Sequence, residues 1–246
     1  MKKIALCFLS YGNLSKAKFW NKLLRDNSDK FTIYIHNKYD FSCKYFSQYC
    51  LKKKINTKWG HSSLVKATLI LFKEAYKNAD NEYFLFLSGT CLPLFPLDYI
   101  YNEIFKENTN LINLFEKNNL ERYDHSMLDK NFLDRKSFKK QYAQGMCLTR
   151  ETVKFFLRKD YIYKFGVNFP ILDEHYFISI IKKNNIPFKN RIVSFSNFNK
   201  DNKTHPKTYK NLNMFSINHK REKGALFVRK IHCTCQNVNL ILNISV

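Results

Sequence analysis

The sequence is short of the residues that interrupt regular structure, since its 246 residues include only 6 glycines and 5 prolines. That scarcity excludes a flexible linker or a low-complexity repeat and favours one continuous globular domain. No apolar run approaches the roughly 18 to 20 residues that a membrane-spanning helix needs. The apolar segment Ile4–Leu9 is not followed by a small-residue cleavage site, so it predicts a buried strand in place of a signal peptide. We therefore expect a soluble chain that resides in the cytoplasm.

The seven cysteines are scattered over the chain and show no paired spacing. An odd number of this kind argues against a disulfide framework and against a structural zinc site. Cys233 and Cys235 lie close together beside His232, but no second pair of metal ligands accompanies them. We therefore expect neither a disulfide scaffold nor a metal held by cysteine.

Acidic residues are few, since 42 Lys and Arg against 20 Asp and Glu give a formal net charge of +22. Such an excess attracts anions and leaves nucleic acid, anionic lipid and acidic ligands open as partners. Lys, Asn, Ile, Phe and Tyr are abundant together, however, and an AT-rich genome produces that bias in any protein. The aromatic residues also concentrate in apolar segments, whereas a nucleic-acid-binding surface exposes them. A basic nucleic-acid-binding protein is therefore the alternative from another class, and we expect no specific nucleic-acid partner.

Hydrophobic periodicity predicts an α/β fold, with an open, mostly parallel sheet flanked by helices in a single domain. Strands are predicted at 4–9, 31–36, 83–87 and 111–115, and helices at 61–79, about 96–105, 150–157 and 173–183. A further helical segment is predicted around Phe19, Trp20, Leu23 and Leu24. Residues 1–115 are expected to form a nucleotide-binding half, and residues 140–246 a half for acceptor and diphosphate. The polar residues 117–140 between them predict a surface excursion over the active site. The last sixty residues show little periodicity.

Four separated blocks together give the chain a family resemblance. The first is Lys3–Gly12, and the second runs from Trp59 and Gly60 to Leu94. The remaining blocks are Lys140, Gln144 and Leu148–Arg150 followed by Asp173–Phe177, and then His205–Tyr209 followed by Leu226–Lys230. In this order the blocks resemble the core-2/I-branching N-acetylglucosaminyltransferase family, in particular its plant-type branch.

The resemblance implies a GT-A type fold, a nucleoside-diphosphate sugar donor, inversion at the anomeric carbon and no required metal or other cofactor. The expected donor is UDP-N-acetylglucosamine and the expected acceptor is a glycan or glycoprotein hydroxyl. A xylosyl or other pentosyl transferase of the same family is the alternative within this class. Relatives in the family are membrane-associated. In agreement with the metal-free branch, the turn Ser88–Cys91 offers no carboxylate where most GT-A enzymes place Asp-x-Asp.

Glu174 is the candidate general base, because inverting transfer needs a proton acceptor for the acceptor hydroxyl. Phe177, Ile178 and Ile181 follow at helical spacing, which predicts that Glu174 begins a helix and faces inward. Asp173 is expected to be the helix cap or a sugar-hydroxyl contact. The alternative is that both acids are ordinary first-turn residues that favour the helix dipole.

The departing diphosphate needs cations if no metal is present. The resemblance assigns that role to Lys230 and, less directly, to Lys207, with the neighbouring Arg229 as an alternative. Taken singly, Lys230 and Lys207 would each be interpreted as a solvated surface residue in so basic a chain.

Other candidates lie at predicted strand ends and turns. Open α/β sheets bind nucleotides at the carboxyl ends of their strands, which predicts donor contacts at Ser10, Tyr11 and Gly12. The resemblance makes Trp59 and His175 candidate acceptor or sugar contacts, although Trp59 also suits the core.

Overall fold

The computed structural model describes residues 1–39, 43–115, 132–133, 136–165, 169–198 and 206–241. Strands and helices alternate over most of this length. The strands are β1 (Lys3–Ser10), β2 (Phe31–Asn37), β3 (Asn81–Ser88), β4 (Leu92–Pro93), β5 (Asn110–Leu114), β6 (Gln141–Thr149), β7 (Phe188–Asn190), β8 (Ser194–Ser196), β9 (Tyr209–Asn211), β10 (Phe227–Arg229) and β11 (Ile231–Gln236). The helices are α1 (Ala17–Arg25), α2 (Ser63–Tyr76), α3 (Leu97–Glu107), α4 (Arg150–Arg158), α5 (Tyr176–Lys183) and α6 (Met214–Glu222).

The main sheet has six strands in the order β2-β1-β3-β6-β5-β7. The pairs β1–β2, β1–β3 and β5–β7 are parallel, whereas β6 runs antiparallel to both β3 and β5. The predicted open α/β sheet flanked by helices is thus confirmed, in agreement with the GT-A-like fold that the resemblance implies. The antiparallel β6 was not predicted, because its sequence Gln141–Thr149 carries neither a continuous apolar run nor strict alternation.

Apolar side chains cover both faces of this sheet, which is why β1 and β3 are continuous apolar runs. One face packs against α1, α3 and α6, and the other against α2, α4 and α5. On the first face, Trp20 lies edge-on to Phe8 and donates its indole N–H to the carbonyl of Cys91 at 3.1 Å. On the second face, Phe72 of α2 contacts Phe84 in a T-shaped pair. Each of these fully buried aromatic side chains contributes about 3 kcal/mol of transfer free energy.

The carboxyl ends of β1 and β3 approach each other very closely. The amide of Gly89 donates to the carbonyl of Leu9 at 3.1 Å, and a Cβ atom at Gly89 would lie 2.8 Å from Cβ of Ser10. Only glycine fits this contact without displacing the backbone. Since β1 has β2 on one side and β3 on the other, a crevice opens here, where open α/β sheets bind ligands.

The carboxyl-terminal part of the chain is more regular than its sequence suggests. It contributes β7 to the main sheet, β8 and β10 to a three-stranded sheet with β4, and β9 and β11 to a two-stranded sheet. Most of these strands have three residues, which is too short for an alternating pattern to be recognised.

Most of the predicted excursion at 117–140, namely 117–131 and 134–135, lies outside the described residues. The predicted helix 173–183 is two elements, a 3-10 turn at Leu172–Glu174 and then α5 from Tyr176.

Across the described ranges, every helix is too short or too polar to cross a membrane.

Candidate functional site

A cleft of about 330 Å³ opens at the carboxyl end of β1. Its walls come from distant parts of the chain, including the end of β1, the turn before α5 and the end of β10. Among the predicted site residues, those that line it are Ser10, Tyr11, Trp59, Asp173, Glu174, Arg229 and Lys230. The fold therefore brings most of the sequence-predicted site together. A cavity of about 1180 Å³ lies elsewhere, at the edge strand β2.

The turn that carries the two acids is set by backbone geometry. Ile171 has φ 49° and ψ 42°, a left-handed conformation that is rare for a β-branched residue, and its amide donates to the carbonyl of Gly60 at 2.8 Å. Gly60 itself has φ +69°, which suits glycine. These two positions connect the acidic turn to the loop that holds Trp59, a residue that is 69% exposed and lines the cleft. Trp59 is therefore not a core residue.

Glu174 forms an ion pair that the sequence did not indicate. Its Oε2 lies 2.9 Å from Nζ of Lys140, and each side chain is 26% exposed. The Lys140 ammonium also lies 5.2 Å from the centroid of the Phe115 ring. Lys140 belongs to a block that carries the family resemblance, but no role was predicted for it. Glu174 reaches this place from the 3-10 turn, so the prediction that a helix face directs it inward is wrong.

Asp173 is the more deeply placed of the two acids. Its Oδ1 is buried without a hydrogen-bond partner among the described residues, although the residue lines the cleft. Burial raises the pKa of Asp173 to about 7, and the negative charge of Glu174 adds to that rise. Asp173 does not cap α5, because His175 occupies the N-cap position. That part of the prediction for Asp173 is wrong, since the helix begins two residues later than its sequence pattern suggests.

Two cations from the end of β10 line the same cleft. Arg229 donates from Nη1 to Oε1 of Gln144 on β6, and its Nε is buried with no partner in the described part of the chain. Burial lowers the pKa of Arg229. Burial also lowers the pKa of Lys230, and the charge of Arg229 lowers it further. An anion that enters the cleft would relieve both effects, because it would supply the missing opposite charge.

Lys207 is a backbone neighbour of Lys230 but does not line the cleft. The Lys230 amide donates to the Lys207 carbonyl at 3.4 Å, and the Tyr209 amide donates to the Lys230 carbonyl at 2.8 Å. The Lys207 side chain is exposed, and Pro206 lines the cleft next to it. The structure therefore favours Arg229 over Lys207 as the companion of Lys230.

The end of β1 combines a tight turn with an exposed aromatic pair. Ser10 donates from Oγ to the carbonyl of Gly12 at 2.6 Å, which holds the turn; Gly12 itself does not line the cleft. Tyr11 is 70% exposed and packs on Tyr39 with ring centroids 4.6 Å apart. The ammonium of Lys38 lies 5.6 Å from the Tyr11 ring. Neither Tyr39 nor Lys38 was predicted, because their proximity to Tyr11 depends on the β1–β2 pairing.

His175 differs from its predicted role as an acceptor or sugar contact. It is 1% exposed, its ring stacks on Phe138 with centroids 4.7 Å apart, and its Nδ1 lies 2.8 Å from the Lys139 carbonyl. Burial lowers the pKa of His175 to about 4. His175 is therefore a buried packing residue next to the turn of Asp173 and Glu174, and it does not line the cleft.

Over the described ranges, no group of three or more His, Cys, Asp or Glu side chains is arranged to hold a metal ion. At the turn after β3, the Ser88 hydroxyl lies 3.0 Å from the Thr90 hydroxyl and 3.2 Å from the Cys91 sulfur. The cleft thus combines the carboxylates of Asp173 and Glu174 with three cations, Lys38, Arg229 and Lys230, a set that suits proton transfer beside an anionic group.

The chain is similar in sequence to known proteins. The family model described as "Core-2/I-Branching enzyme" matches residues 4–222. The chain is also similar to a protein named glycosyltransferase BC10 from Oryza sativa subsp. japonica, with 26% identity over 133 residues. That match covers 51% of this chain and 33% of the relative, so the similarity spans about a third of the length of the rice protein.

Proposed function

This chain belongs to the core-2/I-branching enzyme family of glycosyltransferases, and on that premise we propose that it transfers a sugar from a UDP-sugar to a glycan hydroxyl with inversion. The observation that carries this proposal is the cleft in which Asp173 and Glu174 lie with Arg229 and Lys230. The donor we propose is UDP-N-acetylglucosamine.

Glu174 is the proposed general base. Its carboxylate lines the cleft, is partly exposed and is held by Lys140 through Oε2, which leaves Oε1 to accept the proton of an acceptor hydroxyl. The acceptor oxygen then attacks the anomeric carbon from the face opposite the departing diphosphate. Because attack and departure occur on opposite faces, the configuration inverts.

Arg229 and Lys230 are the proposed partners of the leaving diphosphate. Cations that are already partly desolvated stabilise developing phosphate charge more strongly than solvated ones, because water competes less. The bond from Arg229 to Gln144 fixes the guanidinium before the nucleotide enters. Lys207 has a weaker, longer-range role in this proposal.

Metal independence is a further part of the proposal. Support comes from the turn Ser88–Cys91, which has no carboxylate, and from the two cations that can meet diphosphate charge in place of a divalent ion.

A donor panel tests the proposed function. Purified protein is incubated with UDP-N-acetylglucosamine, UDP-xylose, UDP-glucose, UDP-galactose and a GDP-sugar, and release of the nucleoside diphosphate is measured with and without glycan acceptors. We expect release with UDP-N-acetylglucosamine above all. Preference for UDP-xylose would support the pentosyl alternative, and no release from any donor would contradict the proposed activity.

A further inference from the structure

The cavity of about 1180 Å³ at β2 plays no part in the proposed transfer. Its floor is the first half of β2, and its walls come from the end of α1, the segment 46–53 and one side of α2. The catalytic cleft lies at the opposite, carboxyl end of the sheet. This cavity, which we call the β2-edge cleft, is defined by Phe31–Tyr34, by Tyr49–Lys53, and by Lys73, Glu74 and Lys77.

The backbone along the floor is an open strand edge. The Ile4 amide donates to the Lys30 carbonyl. In a parallel pair this means that the backbone N–H and C=O groups of Thr32 and Tyr34 point toward β1, whereas those of Ile33 point away from β1. Among the described residues, no backbone group pairs with Ile33 on that outer side. An unpaired strand edge is a template for a further strand.

The chain itself shows that this edge accepts a strand. Two residues beyond Ile33, Ile35 forms a parallel bridge with Cys50, and the Leu51 amide donates to the Ile35 carbonyl at 2.8 Å. Before Cys50 the chain turns away into a 3-10 helix at Ser47–Tyr49. The chain's own segment therefore covers the second half of the edge and leaves the first half open inside the cleft.

The charge of the cleft is strongly one-sided. Among the described residues that line it, six are basic and one, Glu74, is acidic. Glu74 is already paired with Lys77 at 2.6 Å. Arg25 pairs with Asp26. The other four basic residues of the cleft have no carboxylate partner in the part of the chain that the structure describes; they are Lys3, Lys52, Lys53 and Lys73. The cleft is therefore more basic than the sequence as a whole, which has 42 Lys and Arg against 20 Asp and Glu.

We propose that the β2-edge cleft binds an extended acidic peptide segment of a partner protein, which adds as a strand beside Ile33. The outward N–H and C=O of Ile33 would pair with the peptide backbone, which gives register. The surrounding cations would pair with Asp or Glu side chains of the segment, which gives selectivity for acidic sequences. A peptide suits this edge better than a glycan or a nucleic acid, because only another backbone repeats donor and acceptor at strand spacing.

The test measures binding of a fluorescein-labelled peptide of alternating Glu and Val to the full chain by fluorescence anisotropy at low salt. We expect Lys52→Glu/Lys53→Glu to weaken binding by about tenfold or more, because it reverses two cleft charges. The matched control Lys182→Glu/Lys183→Glu changes another adjacent pair, exposed on α5, and should leave affinity unchanged. Equal losses in both variants would overturn the proposal.

Two further arms separate strand addition from simple charge attraction. Ile33→Pro removes the outward N–H and leaves the bonds of Thr32 and Tyr34 to β1, so it should abolish peptide binding, whereas Ile33→Val should not. Peptides of the same sequence that are N-methylated along both edges can no longer donate backbone hydrogen bonds, so they should fail to bind the parent chain. This result keeps the test decisive if the proline variant does not fold. If the N-methylated peptides bind as well as the parent peptide, or if heparin or single-stranded DNA competes more strongly than the peptide, the proposal is overturned.

Discussion

The ammonium of Lys140, the residue immediately before β6, lies 2.9 Å from the carboxylate of Glu174 in the turn before α5. A charge-assisted hydrogen bond between two side chains that are 26% exposed fixes the orientation of the proposed base.

Lys140→Met should slow transfer by about tenfold, since charge-assisted hydrogen bonds contribute about 1.5–3 kcal/mol before solvent screening. Lys140→Arg should retain more activity because it keeps the positive charge. Affinity for UDP should be unchanged in both variants, as measured by calorimetry. Lys154→Met, which breaks the more exposed pair with Glu151 at 3.9 Å, is the matched control and should behave like the parent. A parental rate in Lys140→Met would show that the ion pair does not position the base.

Glu174→Gln should slow the chemical step by about a hundredfold or more, since general-base catalysis contributes roughly 10² to 10⁴. UDP affinity should barely change, because the diphosphate is held by other residues. Asp173→Asn should cost much less turnover. Single-turnover rates for both variants beside the parent make the comparison. An active Glu174→Gln together with an inactive Asp173→Asn would reverse the assignment of the base.

Asp173 should also make stability depend on pH. Its folded pKa of about 7 lies above the ordinary value, so the protonated form is favoured in the folded state. That contribution to stability is fully present below about pH 4 and is lost as pH rises through about 7. Asp173→Asn removes the buried charge and should raise the melting temperature relative to the parent at pH 8 more than at pH 5. Thermal melts at both pH values check this, and an equal difference at both would contradict the burial of the carboxyl.

Lys230→Met should weaken UDP binding by roughly tenfold to a hundredfold, because a desolvated cation would be lost from the cleft. UDP affinity of the parent should fall as salt increases, and that slope should be smaller in the variant. Lys207→Met should have a smaller effect, since Lys207 does not line the cleft. Lys210→Met, an exposed residue on β9, is the control. A salt-independent dissociation constant for the parent would count against binding by cations.

Transfer activity should survive EDTA. Lys230 and Arg229 are proposed to meet the diphosphate charge, and the turn Ser88–Cys91 has no carboxylate ligand. Assays in chelator and after addition of Mn²⁺ provide the measurement. Loss of turnover in EDTA that Mn²⁺ restores would refute metal independence.

The sequence by itself determined the central elements of the fold. The apolar runs that became β1, β2 and β3 and the periodic segments that became α2 and α4 are local patterns, and local patterns are enough to predict buried strands and amphipathic helices. The family blocks pointed to Glu174 and Lys230 because the spacing of short motifs is also a property of the chain alone.

Tertiary structure decided the rest. The insertion of β6 between β3 and β5, the burial of Asp173 beside the more accessible Glu174, and the position of His175 beneath the cleft all depend on packing between distant segments. Lys140 pairs with Glu174 only because β6 and the turn before α5 are adjacent in space. Such contacts leave no periodic signal in the sequence, because each depends on which segments the fold brings together.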